Sequence, residues 1–370
     1  MTMSFFAHPG LSEPRTKEEW RSYLHAVPPR RPGLTTLDAY VAMAKNERDE
    51  FNHARHDYHS ALVLIRTGQM RRHHSVIERR MRVNSRQAAG ARRGIVLDGP
   101  PTVGKSTLIK LYAADYERAL RHRHPERFAT NYEVSGRLID YTPVVYLNIP
   151  TKATPKHLSM LLADYLAMPY RSGATMVQIT NAVLDTLRWV GTELVIIDDV
   201  HFLDLSARDG KVANEHLKYL ANHTAATFVY TGADLKTSGL FLEGRGSTQA
   251  TQTSGRNTLL HVTPFGRTTQ DQTEWVQTIM ALENTLCLFD HRPGTLPSLH
   301  RYLYDRTQGS ICALSDLIRE SAIEAVDTGA EAVSEALMDT IEISHAAQAA
   351  YTASVSRRPV RKHHAATTAS

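Results

Sequence analysis

The sequence predicts an α/β fold, a five-stranded parallel sheet between helices, with a helical extension before it and a helical lid after it. Three observations carry this. Short apolar runs rich in β-branched residues occur at 95–97, 144–149, 194–197, 227–230 and, more weakly, 259–262, as in strands buried on both faces. Segments with apolar residues at helical spacing lie between these runs, and no strand signal returns after Pro264.

From residue 34 to about 67, Leu37, Tyr40, Val41, Phe51, Leu62 and Ile65 fall among charged residues without a proline, which predicts one long or two shorter helices. At Gly94 the pattern changes to Ile95-Val96-Leu97, closed by Asp98 and Gly99. Leu108, Leu111, Tyr112, Tyr116 and Ala119 then put apolar groups on one helical face. Further helices are expected over 157–166, 176–190 and 213–221, and beyond the last strand over 270–286, 299–304, 311–326 and 332–343. The chain divides into an N-terminal helical extension (1–70), a core (71–265), a helical lid (266–350) and a basic low-complexity tail (351–370) expected to be disordered.

At 42% hydrophobic and 22% charged residues, with no apolar run as long as a membrane span, the composition is that of a globular protein rather than a membrane-spanning one. Residues 1–10 lack a basic start followed by an apolar stretch, so a cytoplasmic location is expected. Cys287 and Cys312 both sit in apolar surroundings and read as reduced core thiols. The net charge of +5 is unevenly placed. Arg71, Arg72, Arg79, Arg80, Arg82, Arg86, Arg92 and Arg93 crowd one stretch, and Arg357, Arg358, Arg361 and Lys362 lie in the tail. Such clusters suit a polyanion, and they equally describe a solvated helix face and a disordered tail.

Chemistry enters at Gly99-Pro100-Pro101-Thr102-Val103-Gly104-Lys105-Ser106, which matches G-x-x-x-x-G-K-[ST] between a predicted strand and a predicted helix. Glycines let this P-loop wrap closely around phosphates, and the helix N-terminus adds its positive dipole end. Gly99 to Thr107 would hold ATP, with Lys105 reaching the β- and γ-phosphates and the Ser106 hydroxyl ligating Mg²⁺. The run Leu194-Val195-Ile196-Ile197 delivers Asp198 and Asp199 to the carboxyl edge of the sheet, where ligands bind in open α/β folds. Asp198 would join the Mg²⁺ shell, and Asp199 would orient the attacking water. Thr231, ending the next strand, is a candidate sensor of that water. Arg245 and Arg256 lie in a polar stretch before the last strand. Arg256 directly precedes that strand and is the better candidate to reach a neighbouring subunit's γ-phosphate. After 144–149, Lys152, Thr154 and Lys156 form a loop that would face the channel of a ring or helix of subunits and touch a phosphate backbone. His73-His74 and His363-His364 lack carboxylate or Cys partners at ligand spacing, so no metal beyond Mg²⁺ is expected.

The order Gly99–Ser106, Asp198-Asp199, Thr231 and Arg256, followed by a helical lid, resembles the AAA+ ATPases of the ASCE type. The run from Ile196 through His201-Phe202-Leu203, the helix with Leu217-Lys218-Tyr219-Leu220 and the Thr231-Gly232 step are similar to the TniB/TnsC-type transposition regulators. That resemblance implies an ATP-dependent homo-oligomer, ring or helical filament, that coats double-stranded DNA and recruits a DDE-type transposase. Three departures stand out. Thr102 occupies a place where AAA+ loops often carry Gly. Asp199 replaces the usual Glu and is one methylene shorter, which points to slow hydrolysis. The stretch Thr307-Gln308-Gly309-Ser310-Ile311-Cys312 lacks the Arg with which many lids read the γ-phosphate, although Arg319 follows on the same predicted helix. A STAND-like signalling switch and a helicase loader use related cores. The first usually attaches long repeat domains, and the second acts on single strands.

Overall fold

The computed structural model describes residues 13–27, 29–61, 64–88, 92–203, 208–235, 257–343, 348 and 351. Its contacts divide the chain into two compact units, one joining Met1–Val27 to Arg66–Thr263 and the other joining Pro28–Ile65 to Pro264–Ser370.

The first unit holds the sheet. Strands β1 (Gly94–Asp98), β2 (Val144–Asn148), β3 (Leu194–Asp198), β4 (Thr227–Gly232) and β5 (Asn257–His261) are all parallel, in the order β2-β3-β4-β1-β5. All five predicted strands are present. β1 and β3 are apolar up to their last residue and bury Ile95, Leu97, Val195 and Ile197 completely, as strands covered on both faces must. Helices Lys105–Arg123, Pro155–Tyr165, Met176–Trp189 and Arg208–His223 connect them. Because every strand points the same way, the chain leaves β1, β3 and β4 on one edge, and the P-loop and both acids meet there.

Two elements of this unit escaped the sequence reading. Helix Lys17–His25 has only Trp20 and Leu24 as buried anchors, too few for a periodic signal. Trp20 nevertheless places it firmly: its Nε1 donates to Glu117 Oε2 at 2.8 Å, and its ring stacks on Tyr146 with centroids 6.2 Å apart. The second element is a short antiparallel hairpin, Glu133–Val134 with Arg137–Leu138. It turns through Ser135 and Gly136, both at positive φ, the backbone that two-residue hairpins require.

The second unit is helical. Of the two readings of 34–67, two shorter helices form, Leu37–Ala42 and Lys45–Ser60, and 332–343 shortens to Glu335–Asp339, capped by Ser334. Helices Thr269–Glu283, His300–Thr307 and Ile311–Asp327 complete the bundle around Trp275, Leu303, Leu314 and Leu317, with a one-turn helix Thr295–Ser298 that the sequence did not announce. Arg55 of Lys45–Ser60 is fully buried. It makes a bidentate pair with Glu331 at 2.7 and 2.9 Å and lies 5.1–5.2 Å from the ring centroids of Tyr40, Phe51 and Phe289. Neither cysteine is in a disulfide, but only Cys287 is a core thiol, since Cys312 is half-buried. No helix among the described residues is long and apolar enough to cross a membrane.

Candidate functional site

The P-loop runs from the end of β1 into helix Lys105–Arg123. Gly99 has no room for a side chain, because a Cβ there would stand 2.1 Å from the carbonyl oxygen of Val262. The end of β5 thus fixes the floor of the loop, through a Val262 N–H bond to the Asp98 carbonyl at 2.8 Å. Gly104, at φ 85°, is the helix N-cap, and Thr102 takes φ 61°. Thr102 therefore sits in the left-handed region at the place where AAA+ loops often carry Gly, and it holds this backbone at roughly 1–2 kcal/mol of strain. Lys105 is buried, and its Nζ donates to the carbonyls of Gly99 (2.8 Å) and Pro100 (2.7 Å). Burial lowers its pKa, while Asp198, Asp199, Asp98 and Asp234 pull it back up.

Asp198 is fully buried and held by three donors. Tyr146 OH donates to Oδ2 at 2.6 Å, the backbone N–H of Asp199 donates to Oδ1 at 3.0 Å, and Thr231 Oγ1 donates to the same Oδ1. Asp199 is half-buried at φ 57° and begins the short 3-10 turn Val200–Phe202. Its Oδ2 accepts from Asn148 Nδ2 at 3.1 Å, and His201 Nδ1 lies 3.8 Å from Oδ1. Burial raises the Asp199 pKa and the charge of Asp198 adds to it, opposed by Asn148, His201 and Lys105.

The structure brings Lys105, Asp198, Asp199 and Thr231 to one edge. Thr231 lies within β4, opposite Leu97 of β1, with its buried hydroxyl bonded to Asp198. Ser106 and Thr107 form the half-buried first turn of the helix. Lys152 is exposed on the loop after β2, whereas Lys156, also exposed, stands in the first turn of helix Pro155–Tyr165 and not on the loop. Thr154 between them is the N-cap of Pro155–Tyr165, its hydroxyl accepting from His157 N at 3.2 Å. Arg245, Arg256 and the tail cations lie outside the described residues. In the second unit, Arg319 pairs with Asp316 at 2.7 Å.

Comparison with known proteins decides the family, for the model described as "Bacterial TniB protein" matches residues 57–240. The chain belongs to the TniB family. This TniB-type chain is an AAA+ ATPase, and solved structures share its fold. The ORC2 protein of Aeropyrum pernix, determined as ADPNP-ADP complexes, superposes with a TM-score of 0.52 at 16% identity over 78% of this chain and 68% of that one. The ORC1 protein of Aeropyrum pernix, determined in complex with DNA, gives 0.51 at 17% identity over 79% and 67%. No curated protein sequence is significantly similar.

Three site residues of this TniB-family chain went unread in the sequence. Asp98 accepts from Leu235 N at 2.9 Å and ties the segment after β4 to the foot of the P-loop. Tyr146 and Asn148 rise from β2 toward the two acids. Their signal was available: a phenol and an amide on alternate positions of an otherwise aliphatic strand, with Asn148 in register with Asp198.

Proposed function

We propose that the chain is an ATP-dependent, DNA-binding regulator of transposition that oligomerises on duplex DNA and recruits or activates a DDE transposase, slow hydrolysis timing its release. The observation that carries the nucleotide chemistry is the convergence of Lys105, Asp198 and Asp199 at the carboxyl edge of the sheet. Membership of the TniB family and the shared fold of a DNA-bound ORC1 support the DNA role.

Backbone N–H groups between Gly99 and Thr107 would cradle the phosphates of ATP, with Lys105 turning from the loop carbonyls to the terminal phosphates. The donor set fits Mg²⁺, a hard ion that takes one or two protein oxygens and completes its shell with phosphate and water. Ser106 and Asp198 supply those oxygens, and no richer cluster of His, Cys, Asp or Glu occurs among the described residues. A carboxylate offers about four acceptor positions. Tyr146, Thr231 and the Asp199 N–H fill three of those on Asp198, leaving one for a metal-bound water. Bound there, the metal would neutralise charge that builds on the phosphates. Asp199 would accept a proton from the attacking water, its basicity raised by burial and its orientation set by Asn148. Arg256 of a neighbouring subunit would meet the γ-phosphate, and Lys152, Thr154 and Lys156 would touch the DNA backbone.

Tyr146→Phe is expected to keep the stack on Trp20 and nucleotide binding while removing a hydrogen bond to a charged group, on the order of 1.5–3 kcal/mol. The Mg²⁺ concentration for half-maximal turnover should rise several-fold. An unchanged Mg²⁺ dependence would remove Tyr146 from the site. For the whole reading, light scattering and electron microscopy should show assembly on duplex DNA only with ATP or a non-hydrolysable analogue, with Lys105→Ala inert. Lys152→Ala with Lys156→Ala should reduce the slope of log affinity against log salt by roughly 2, at about 0.9 per phosphate contact. Absence of nucleotide-dependent assembly refutes the proposal, and preference for single strands would point to a helicase loader.

A further inference from the structure

None of the residues placed above at the nucleotide site comes from the arginine-rich segment. It forms helix Gly68–Asn84, which lies along β5 and buries Ile77 and Met81. Three side-chain bonds fix its direction: Gln69 to Thr263 at 3.0 Å, His73 to the His261 carbonyl at 3.0 Å and Arg80 to Thr258 at 3.1 Å. The opposite face carries Arg72, Ser75, Arg79 and Arg82, with Arg86 just beyond the last turn, all exposed. Arg72, Arg79 and Arg86 are seven residues apart, so they are spaced by about 10 Å along the axis. Within this helix the only acid is Glu78, paired with Arg82 at 3.0 Å.

The stripe leads into a small basic cavity. Asn84, the last residue of the helix, donates to the Arg93 carbonyl at 2.9 Å, and Arg92 donates to the carbonyls of Asn84 (2.9 Å) and Thr224 (2.8 Å). Arg92 is thereby pinned by two backbone oxygens. It lines a cavity of about 100 Å³ together with Arg93, Lys218, Asn222 and Asn257, and no acid is among the lining residues. Lys218 also holds Glu215 at 2.9 Å. A cavity of that size and charge suits one phosphate group. It opens where β1, β4 and β5 begin, at Gly94, Thr227 and Asn257. That is the opposite edge of the sheet from Lys105, Asp198 and the segment of Lys152 and Lys156.

We infer that this face, from Arg72 through Arg86 to the Arg92–Arg93 cavity, is a second phosphodiester-binding surface for duplex DNA, used whether or not nucleotide is bound. The inference rests on the reading of the chain as a duplex binder and adds a surface to it. A straight, rigidly mounted row of cations matches a stiff, regularly charged backbone. Single strands are held through aromatic platforms interleaved with cations, whereas the exposed face of the helix carries no aromatic residue, and Phe228 and Tyr230, which line the cavity, are themselves buried. A membrane-binding helix inserts its apolar face, whereas Ile77 and Met81 are buried against the protein. Because the two basic surfaces lie at opposite ends of the strands, one protomer would hold two separate stretches of backbone.

The test is fluorescence anisotropy of a labelled duplex over a salt series, with the full chain, with and without a non-hydrolysable ATP analogue. Arg79→Ala, Arg86→Ala and Arg93→Ala combined should lower the salt slope by roughly 2–3 in both nucleotide states. Binding of a fluorescent ATP analogue and the melting temperature should stay as in the wild type, because all three side chains are exposed. The corresponding triple Arg→Lys variant should keep most of the slope. A slope unchanged in the Ala variant, or wild-type sedimentation with anionic lipid vesicles in preference to duplex, overturns the inference. Wild-type protein that binds duplex without nucleotide through these arginines, yet never assembles with the analogue, would sustain the basic face and refute the assembly proposal.

Discussion

Asp199→Asn is expected to leave nucleotide binding and assembly intact while turnover falls by about 10²–10⁴, the range for losing a general base. The substitution is clean for reasons that lie in the backbone. Asp199 stands at φ 57°, and Asn is as much at home in the left-handed region as Asp. Its amide oxygen can still accept from Asn148 Nδ2, which now donates at 3.1 Å. Only charge and basicity change. Removing one of two adjacent carboxylates also relieves repulsion with Asp198, so nucleotide affinity should hold or rise. Phosphate release and single-turnover measurements check this, and unchanged hydrolysis would show that another group orients the water. Asp199→Glu extends the reach by one methylene. A faster variant would identify the short side chain as the origin of the slow turnover proposed above.

Arg55→Ala is expected to destabilise the second unit by about 3–5 kcal/mol, the loss that follows when one partner of a buried ion pair is removed. Glu331 would keep a buried charge with only the Phe289 N–H, at 3.2 Å, to bond it. The faces of Tyr40, Phe51 and Phe289 would lose the guanidinium they surround. Urea unfolding should shift to a lower midpoint, and amide exchange should accelerate in Lys45–Ser60 and Ile311–Asp327. A loss within 1 kcal/mol would mean that water relaxes into the site. Arg55→Met with Glu331→Gln should recover part of the loss, since no unpaired charge then remains.

The sheet was legible because its signals are local. An apolar run ending in an acid, or in glycine before Gly-Lys-Ser, is complete within ten residues, and parallel strands bring those ends together without further information. What the sequence concealed depends on partners far along the chain. Trp20 makes sense only beside Glu117 and Tyr146, and Tyr146 only beside Asp198, 52 residues away. Arg55 reads as one more charge on a polar helix until Glu331 is placed against it. Thr102 was legible as a departure, but its strain was not, because φ at that position follows from the closure of the whole loop.

The Arg55–Glu331 pair also orders the birth of the molecule. The two residues are 276 apart, which at about 5–20 residues per second means on the order of 15–55 s between their syntheses. Every strand of the sheet is made in that interval, while Lys45–Ser60 waits with an uncompensated cation that has no interior to enter. The helical unit is therefore sealed last, from an early segment and a late one. Ribosome stalling ahead of Glu331 would leave a nascent chain with every strand of its sheet made and its second unit still open.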